Sequence, residues 1–448
     1  MDQLNENLIT FGTIVGRCST MSSSVYELEN LLNEIRTRVV VDKDGVPKIP
    51  RDVDPLLDKV KDYVIDTTLG NLLEEAYEWV EKVRNVLEEL RRFFNLYGVT
   101  LPKEFNSFVE DPRAHLRKKL FNYVYDLVRN KIALEDFVRK ATAAVRTSLR
   151  TNMRSAYQIW CLANIVLELG RRGYGVVYPE HRYLNLDRSG KQKLGIIPPN
   201  VVLLNVEKGF ISFFHEAPRP LTWEDTKDLE KIWSLYTALR PDVLVYGGRV
   251  LNIVDLSLSP PIKRPDVLIE FKELEDWFTR VRDLRGYFRK PLTAEEWRSK
   301  WLEGLFDGLA DILGVQRTEV RQRVESGASL RIKEYQLIQL YRSTYRPRYA
   351  ILVSRKPVPS DVRKDLEANG IIVVDGVEFD SSKLQPVVDI LESIARFEHG
   401  EAVPVFLDPE TIELAKSLAR RLGIEKLEDL VKYALEHLRN VVESRGGS

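Results

Sequence analysis

Between Arg264 and Glu273 the chain reads Arg-Pro-Asp-Val-Leu-Ile-Glu-Phe-Lys-Glu, an apolar run that closes on an acid, an aromatic and a base. Side chains of a strand alternate faces, so Glu270 and Lys272 leave the same side about 7 Å apart while Ile269 and Phe271 turn into a core. A second run, Arg240-Pro241-Asp242-Val243-Leu244-Val245-Tyr246, also opens on an acid and stops at the turn pair Gly247-Gly248. Two carboxylates and an ammonium gathered at strand ends are equipped for phosphodiester hydrolysis. Hard divalent cations take oxygen ligands and keep several waters, lower the pKa of a water and neutralise charge on the phosphate. A neighbouring lysine can orient the attacking water or take its proton. Asp266 lies on the same run as Glu270 and would sit about 13 Å from it, too far to share one ion. Asp242 is on a separate run that can pair beside Glu270 at about 5 Å, so Asp242 is the expected metal ligand and Asp266 the first residue of the strand.

An Asp followed by Glu-x-Lys on an adjacent strand resembles the active-site signature of the PD-(D/E)xK nuclease superfamily, the restriction-endonuclease-like fold. A lone Glu-x-Lys is more often a solvated ion pair, so the surrounding elements have to carry the resemblance. The family places an acid on the helix before the sheet. Ser155 to Arg172 reads as such a helix, with Ile159, Leu162, Ile165, Val166 and Leu169 on its apolar face and Glu168 near its end. Downstream come a helix containing Glu334 to Tyr341, a strand Tyr349 to Val353, a helix Ser360 to Asn369 and a strand Ile371 to Asp375. This alternation predicts an α/β domain with a mixed central sheet flanked by helices. The resemblance implies an Mg²⁺- or Mn²⁺-dependent DNA endonuclease. Asp242, Glu270 and Glu168 would hold the metal, Lys272 would serve the water, and Gln336 and Gln339 would stand near the phosphate. The alternative is a catalytically silent binding or assembly protein on the same fold.

The predicted organisation is an all-α region over 1–150, a nuclease-like domain over 151–398 with a helical insertion at about 274–331, and a small β-α-α domain over 401–448. In the first region Asp54 to Leu69 and Asn71 to Tyr97 carry apolar residues at helical steps, and no chemistry is visible there. From Arg113 to Arg154 eleven basic residues face three acidic ones, and Arg139, Arg146, Arg150 and Arg154 recur at helical spacing. That stripe is either a solvated face or a phosphate-binding surface.

In the last unit a short run, Val403 to Leu407, precedes Asp408-Pro409, a helix start, and two helices follow, Glu410 to Leu422 and Lys426 to Glu443, separated by Gly423. It resembles a ribbon-helix-helix domain, whose strand pairs with its twin in a homodimer. Val403, Val405 and Phe406 stand where readers of DNA show polar side chains, and Glu425 and Glu428 would face phosphate. Dimerisation is therefore the first reading, with DNA binding and an unrelated helical hairpin as the others.

With 67 basic and 67 acidic residues the chain carries no net charge, so any nucleic-acid contact must come from local patches. Two cysteines and five histidines without close spacing argue against a disulfide scaffold or a zinc site. No apolar stretch of membrane length and no apolar leader occurs, which predicts a cytoplasmic protein. The abundance of Glu, Lys and Arg, beside three methionines, is a feature of thermophile proteins.

Overall fold

The computed structural model describes residues 18–41, 47–187, 197–217, 240–255, 258, 262–283, 306, 309–310, 312–326, 328, 330–398 and 407–445. In the first third of the chain, apolar residues at three- and four-residue steps fold as helices that turn their stripes toward one another. These are α1 (Cys18–Arg38), α2 (Asp54–Leu69), α3 (Leu72–Phe93), α4 (Lys103–Glu110), α5 (Pro112–Val128) and α6 (Leu134–Arg171). Short strands β1 (Val40–Val41), β2 (Pro47–Lys48) and β3 (Gly98–Thr100) fall between them. α3 stops before the expected Tyr97 because Asn95 adopts a left-handed φ of 51°.

The 38 residues of α6 join the arginine stripe and the helix expected from Ser155 into one element. Its first half is amphipathic, burying Phe137, Ala141, Val145 and Leu149, whereas every residue from Ala156 to Leu167 is buried. A helix apolar all round needs cover all round, and this half lies between the helical layer and a sheet. The domain boundary expected at residue 150 falls inside this helix, and one hydrophobic core runs from Leu28 to Ile394. The compact units are Met1–Glu398 and His399–Ser448.

After Gly173, whose φ of 88° ends α6, come β4 (Gly175–Tyr178), β5 (Tyr183–Asn185), β6 (Val201–Asn205), β7 (Gly209–His215), β8 (Val243–Gly247) and β9 (Val267–Lys272). Then follow β10 (Val281–Asp283), α7 (Arg317–Glu325), β11 (Arg331–Lys333), α8 (Glu334–Tyr345), β12 (Tyr349–Ser354), α9 (Ser360–Ala368), β13 (Ile371–Val374) and α10 (Gln385–Ser393). Seven strands make a mixed sheet in the order β13-β12-β9-β8-β7-β6-β4. From β4 to β9 neighbours run antiparallel, while β9, β12 and β13 run parallel. Parallel neighbours require crossovers, which α8 and α9 supply. Every residue of β7, β8 and β9 is buried, as a sheet covered on both faces demands. Val267, Ile269 and Phe271 pack in the core that contains α6, and Leu268 packs with Leu337 and Leu340 of α8 on the other face. The expected α/β class and mixed sheet flanked by helices are thus present. Of the expected insertion, the described residues hold a 3₁₀ turn at Trp277–Thr279, β10 paired antiparallel with β11, and α7.

The second unit contains α11 (Pro409–Leu422) and α12 (Leu427–Arg445), close to the expected spans. The Asp408 carboxylate accepts from the Thr411 amide at 2.8 Å and starts α11, and Gly423, at φ 68°, ends it. Residues 403–406 of the expected ribbon strand lie outside the described residues. Among the described residues no helix is long and apolar enough to cross a membrane.

Candidate active site

β8 and β9 pair with Val243 opposite Ile269 and Leu244 opposite Leu268, so one further step sets Asp242 against Glu270. The ladder stops there, and the amide of Phe271 needs another acceptor. The Asp242 carboxylate supplies it: Oδ2 accepts from Phe271 N at 2.7 Å, and Oδ1 accepts from Gln158 Nε2 on α6 at 2.7 Å. Glu270 Oε2 accepts from the Asp242 amide at 3.2 Å. Its other oxygen, Oε1, accepts from Lys272 Nζ at 2.9 Å, and the same ammonium donates to Glu334 Oε1 at 2.7 Å. Asp242, Glu270, Lys272 and Glu334 are each at most 7 % exposed. Helices on opposite faces therefore complete what the strands begin, α6 with Gln158 and α8 with Glu334.

These groups line a cavity of about 530 Å³, whose wall also includes Arg150 and Arg154 of α6, Arg240, Glu216, Glu273 and Arg280. Burial and the adjacent Glu270 carboxylate push the Asp242 carboxyl well above its ordinary value, against the opposing pull of Lys272. Burial works against the Lys272 ammonium, yet Glu270, Glu334 and Asp242 together hold its pKa above that of an ordinary lysine. Lys272 is therefore a fixed cation. Burial also raises the Glu273 carboxyl, opposed by its own backbone hydrogen bond, Lys272, Arg154 and Arg280. Arg240 and Glu216 form an ion pair at 3.1 Å on the rim.

The expected residues divide into two groups. Asp242, Glu270 and Lys272 meet in the cavity, and Arg150 and Arg154 reach its wall. Glu168 does not. It follows Gln158 by ten residues, about 15 Å along a helix, and there it pairs with Arg171 and accepts from Gln385 Nε2 at 3.1 Å. α6 delivers Gln158 to the strand ends and carries Glu168 past them to α10, which corrects the expectation that Glu168 joins the metal set. Gln336 and Gln339 are also elsewhere: Gln336 Oε1 accepts from the Lys333 amide at 2.8 Å, and Gln339 donates to Asp365 at 2.9 Å. The face of α8 turned to the cavity is that of Glu334 and Tyr341. Arg139 pairs with Asp136 at 2.8 Å, and Arg146 is exposed away from the cavity wall. Asp266 sits before β9 as expected, accepting from the Gly247 amide at 2.9 Å and pairing with Arg396 at 3.0 Å.

Gln158, Glu334, Glu273, Glu216 and Arg240 had no signal in the sequence strong enough to single them out. Glu273, the residue after Lys272, and Arg240, two residues before Asp242, lay within sight of the motif.

Among the described residues no cluster of three or more His, Cys, Asp or Glu side chains is arranged to cage a metal. Asp242 and Glu270 nevertheless fit a hard divalent cation that keeps its waters, because such an ion needs only one or two carboxylates. Each of their four oxygens receives one described hydrogen bond and an ionised carboxylate oxygen offers two lone-pair sites. The unfavourable proximity of the two buried acids is what a cation would relieve. No family model, curated protein or solved structure matches this chain.

Proposed function

We propose that this chain is a metal-dependent DNA endonuclease with a PD-(D/E)xK site on a restriction-endonuclease-like core. The observation that carries the reading is the convergence of Asp242, Glu270 and Lys272 within hydrogen-bonding reach at the wall of one cavity. The order of elements supports it: α6, then β7, β8 and β9 antiparallel, then α8 crossing over to β12 beside β9.

Asp242 and Glu270 would hold Mg²⁺ or Mn²⁺. When bound, the cation would neutralise charge on the phosphate and lower the pKa of water. Gln158 fixes the direction of the Asp242 carboxylate, and Glu334 fixes that of Lys272. With its pKa raised in this network, Lys272 would donate hydrogen bonds that orient the water or the phosphate oxygen. Arg150 and Arg154 on the wall supply positive charge for the flanking phosphates.

One observation favours the silent alternative: the Lys272 ammonium is already engaged by Glu270 and Glu334. Incubation with plasmid, linear and branched DNA and Mg²⁺ or Mn²⁺ decides between them. We expect nicking that Asp242→Ala and Lys272→Ala each abolish and Asp266→Ala retains. A wild-type protein that cuts nothing with either metal on any substrate would leave a binding or scaffolding protein.

A further inference from the structure

A second cavity, about 620 Å³ in volume, opens along the amphipathic half of α6, and Thr151 lines both it and the acidic site. One wall is the half-buried ring of Tyr123 on α5 beside the small side chains Ala143 and Ala144. Lys119, Arg139 and Lys140 stand around it. Lys119 is paired with Glu104, which also lines the cavity, and Arg139 with Asp136, so both cations are partly offset and Lys140 adds a further positive charge.

The floor is polar and fixed. Ser148 Oγ lies 3.2 Å from Nε2 of buried His115, and Asn152 Nδ2 donates to the Ser148 carbonyl at 2.8 Å. An aromatic side chain beside small apolar ones, with hydroxyl, amide and cationic groups around one open cavity, suits a nucleotide: a π-face for the base, polar groups for its edge and charge for its phosphate. A paired base keeps its faces inside the duplex, so only an unpaired one can enter.

We propose that this cavity binds an unpaired nucleotide of the strand whose phosphate lies in the acidic site, making the substrate a DNA with a single-stranded stretch. The inference rests on the nuclease reading above. From Ala144 or Ser148 to Gln158 the helix rises about 15 to 21 Å, which at about 3.4 Å per nucleotide of stacked strand spans roughly four to six nucleotides. The unpaired stretch should therefore reach about that far from the cut.

The test combines binding and cutting by the full chain. Fluorescence anisotropy with labelled single-stranded, blunt duplex and overhang-bearing oligonucleotides, without divalent metal, should show preference for the unpaired forms. Tyr123→Ala should weaken that preference about tenfold, and Lys140→Glu, at an exposed position outside the packed core, should weaken it in the same direction. Plasmid nicking in Mg²⁺ is measured alongside. Nicking with equal affinity for paired and unpaired DNA overturns the pocket and leaves the nuclease. Preference that both variants reduce, without nicking by any metal, supports the pocket and overturns catalysis. Preference that neither variant alters overturns this cavity as its source.

Discussion

On the proposed nuclease reading the chemistry would turn on Lys272 between Glu270 and Glu334, whose carboxylates hold its ammonium above the ordinary lysine pKa against the effect of burial. Glu334→Gln should remove half of that clamp and lower cleavage about 10- to 100-fold, while Glu168→Gln, at the far end of α6, should leave cleavage unchanged. Rates on one plasmid substrate at fixed Mg²⁺ check both. On the same reading Asp242 would make metal binding depend on pH. Its folded pKa is raised, so the folded state keeps a proton that the unfolded chain loses above about pH 4, and this group's contribution to stability falls as pH rises through that window. A cation needs the ionised form, so binding releases a proton and tightens with pH. The melting-temperature gain on adding Mg²⁺ should be larger at pH 8 than at pH 5, and an equal gain at both would remove Asp242 from the metal set.

At the scale of elements, α6 serves two ends. Its buried half sets Gln158, and its exposed half carries the arginines. If Arg150 and Arg154 meet phosphates, replacing both with Ala should flatten the log-log salt dependence of DNA affinity by about two units, one per lost contact, whereas Arg146→Ala should change it little. Gly209 and Gly247 show how the sheet is closed on this unit. The chain at Ile394–Arg396 passes so near that a Cβ on Gly209 would meet the Arg396 backbone at 2.2 Å, and Gly209 has φ 104°. Gly209→Ala should cost at least about 1 to 3 kcal/mol in a denaturant melt. The Asp242, Glu270 and Lys272 convergence was legible in the sequence because it depends on short-range rules, alternation within one strand and pairing between two. Glu334 and Gln158 were not, because their place depends on where α8 and α6 land against the sheet. The same cause misled the choice of Glu168: the period of a helix tells which face is apolar but not which turn crosses the strand ends. The boundary at residue 150 failed similarly, since nothing local marks a helix that continues from one layer into another.

The whole chain has one unit with a large shared core and one almost without its own. Among the described residues of His399–Ser448 only Ala419 and Leu430 are buried, whereas Leu414, Leu435, Leu438 and Val442 are each more than half exposed. A pair of helices in that state is stabilised by covering its apolar side chains, and a second copy of the same surface is the expected cover. Light scattering should give a dimer for the full chain and a monomer after truncation at Gly400; a monomeric full chain at micromolar concentration would point to a different protein as the cover.

The placing of the Lys272 ammonium between Glu270 and Glu334 has a consequence for the life of the protein. The ammonium offsets part of the repulsion among the buried carboxylates, and Asp242, with its pKa raised, can keep a proton, so the chain need not wait for a metal before it folds. On the proposed nuclease reading, newly made protein would mature and persist in a metal-poor state, and the supply of divalent cation would act as a throttle on cutting while leaving the amount of folded protein untouched. Treatment with a chelator should silence the protein without unfolding it, and returning the cation should restore it within the time of mixing.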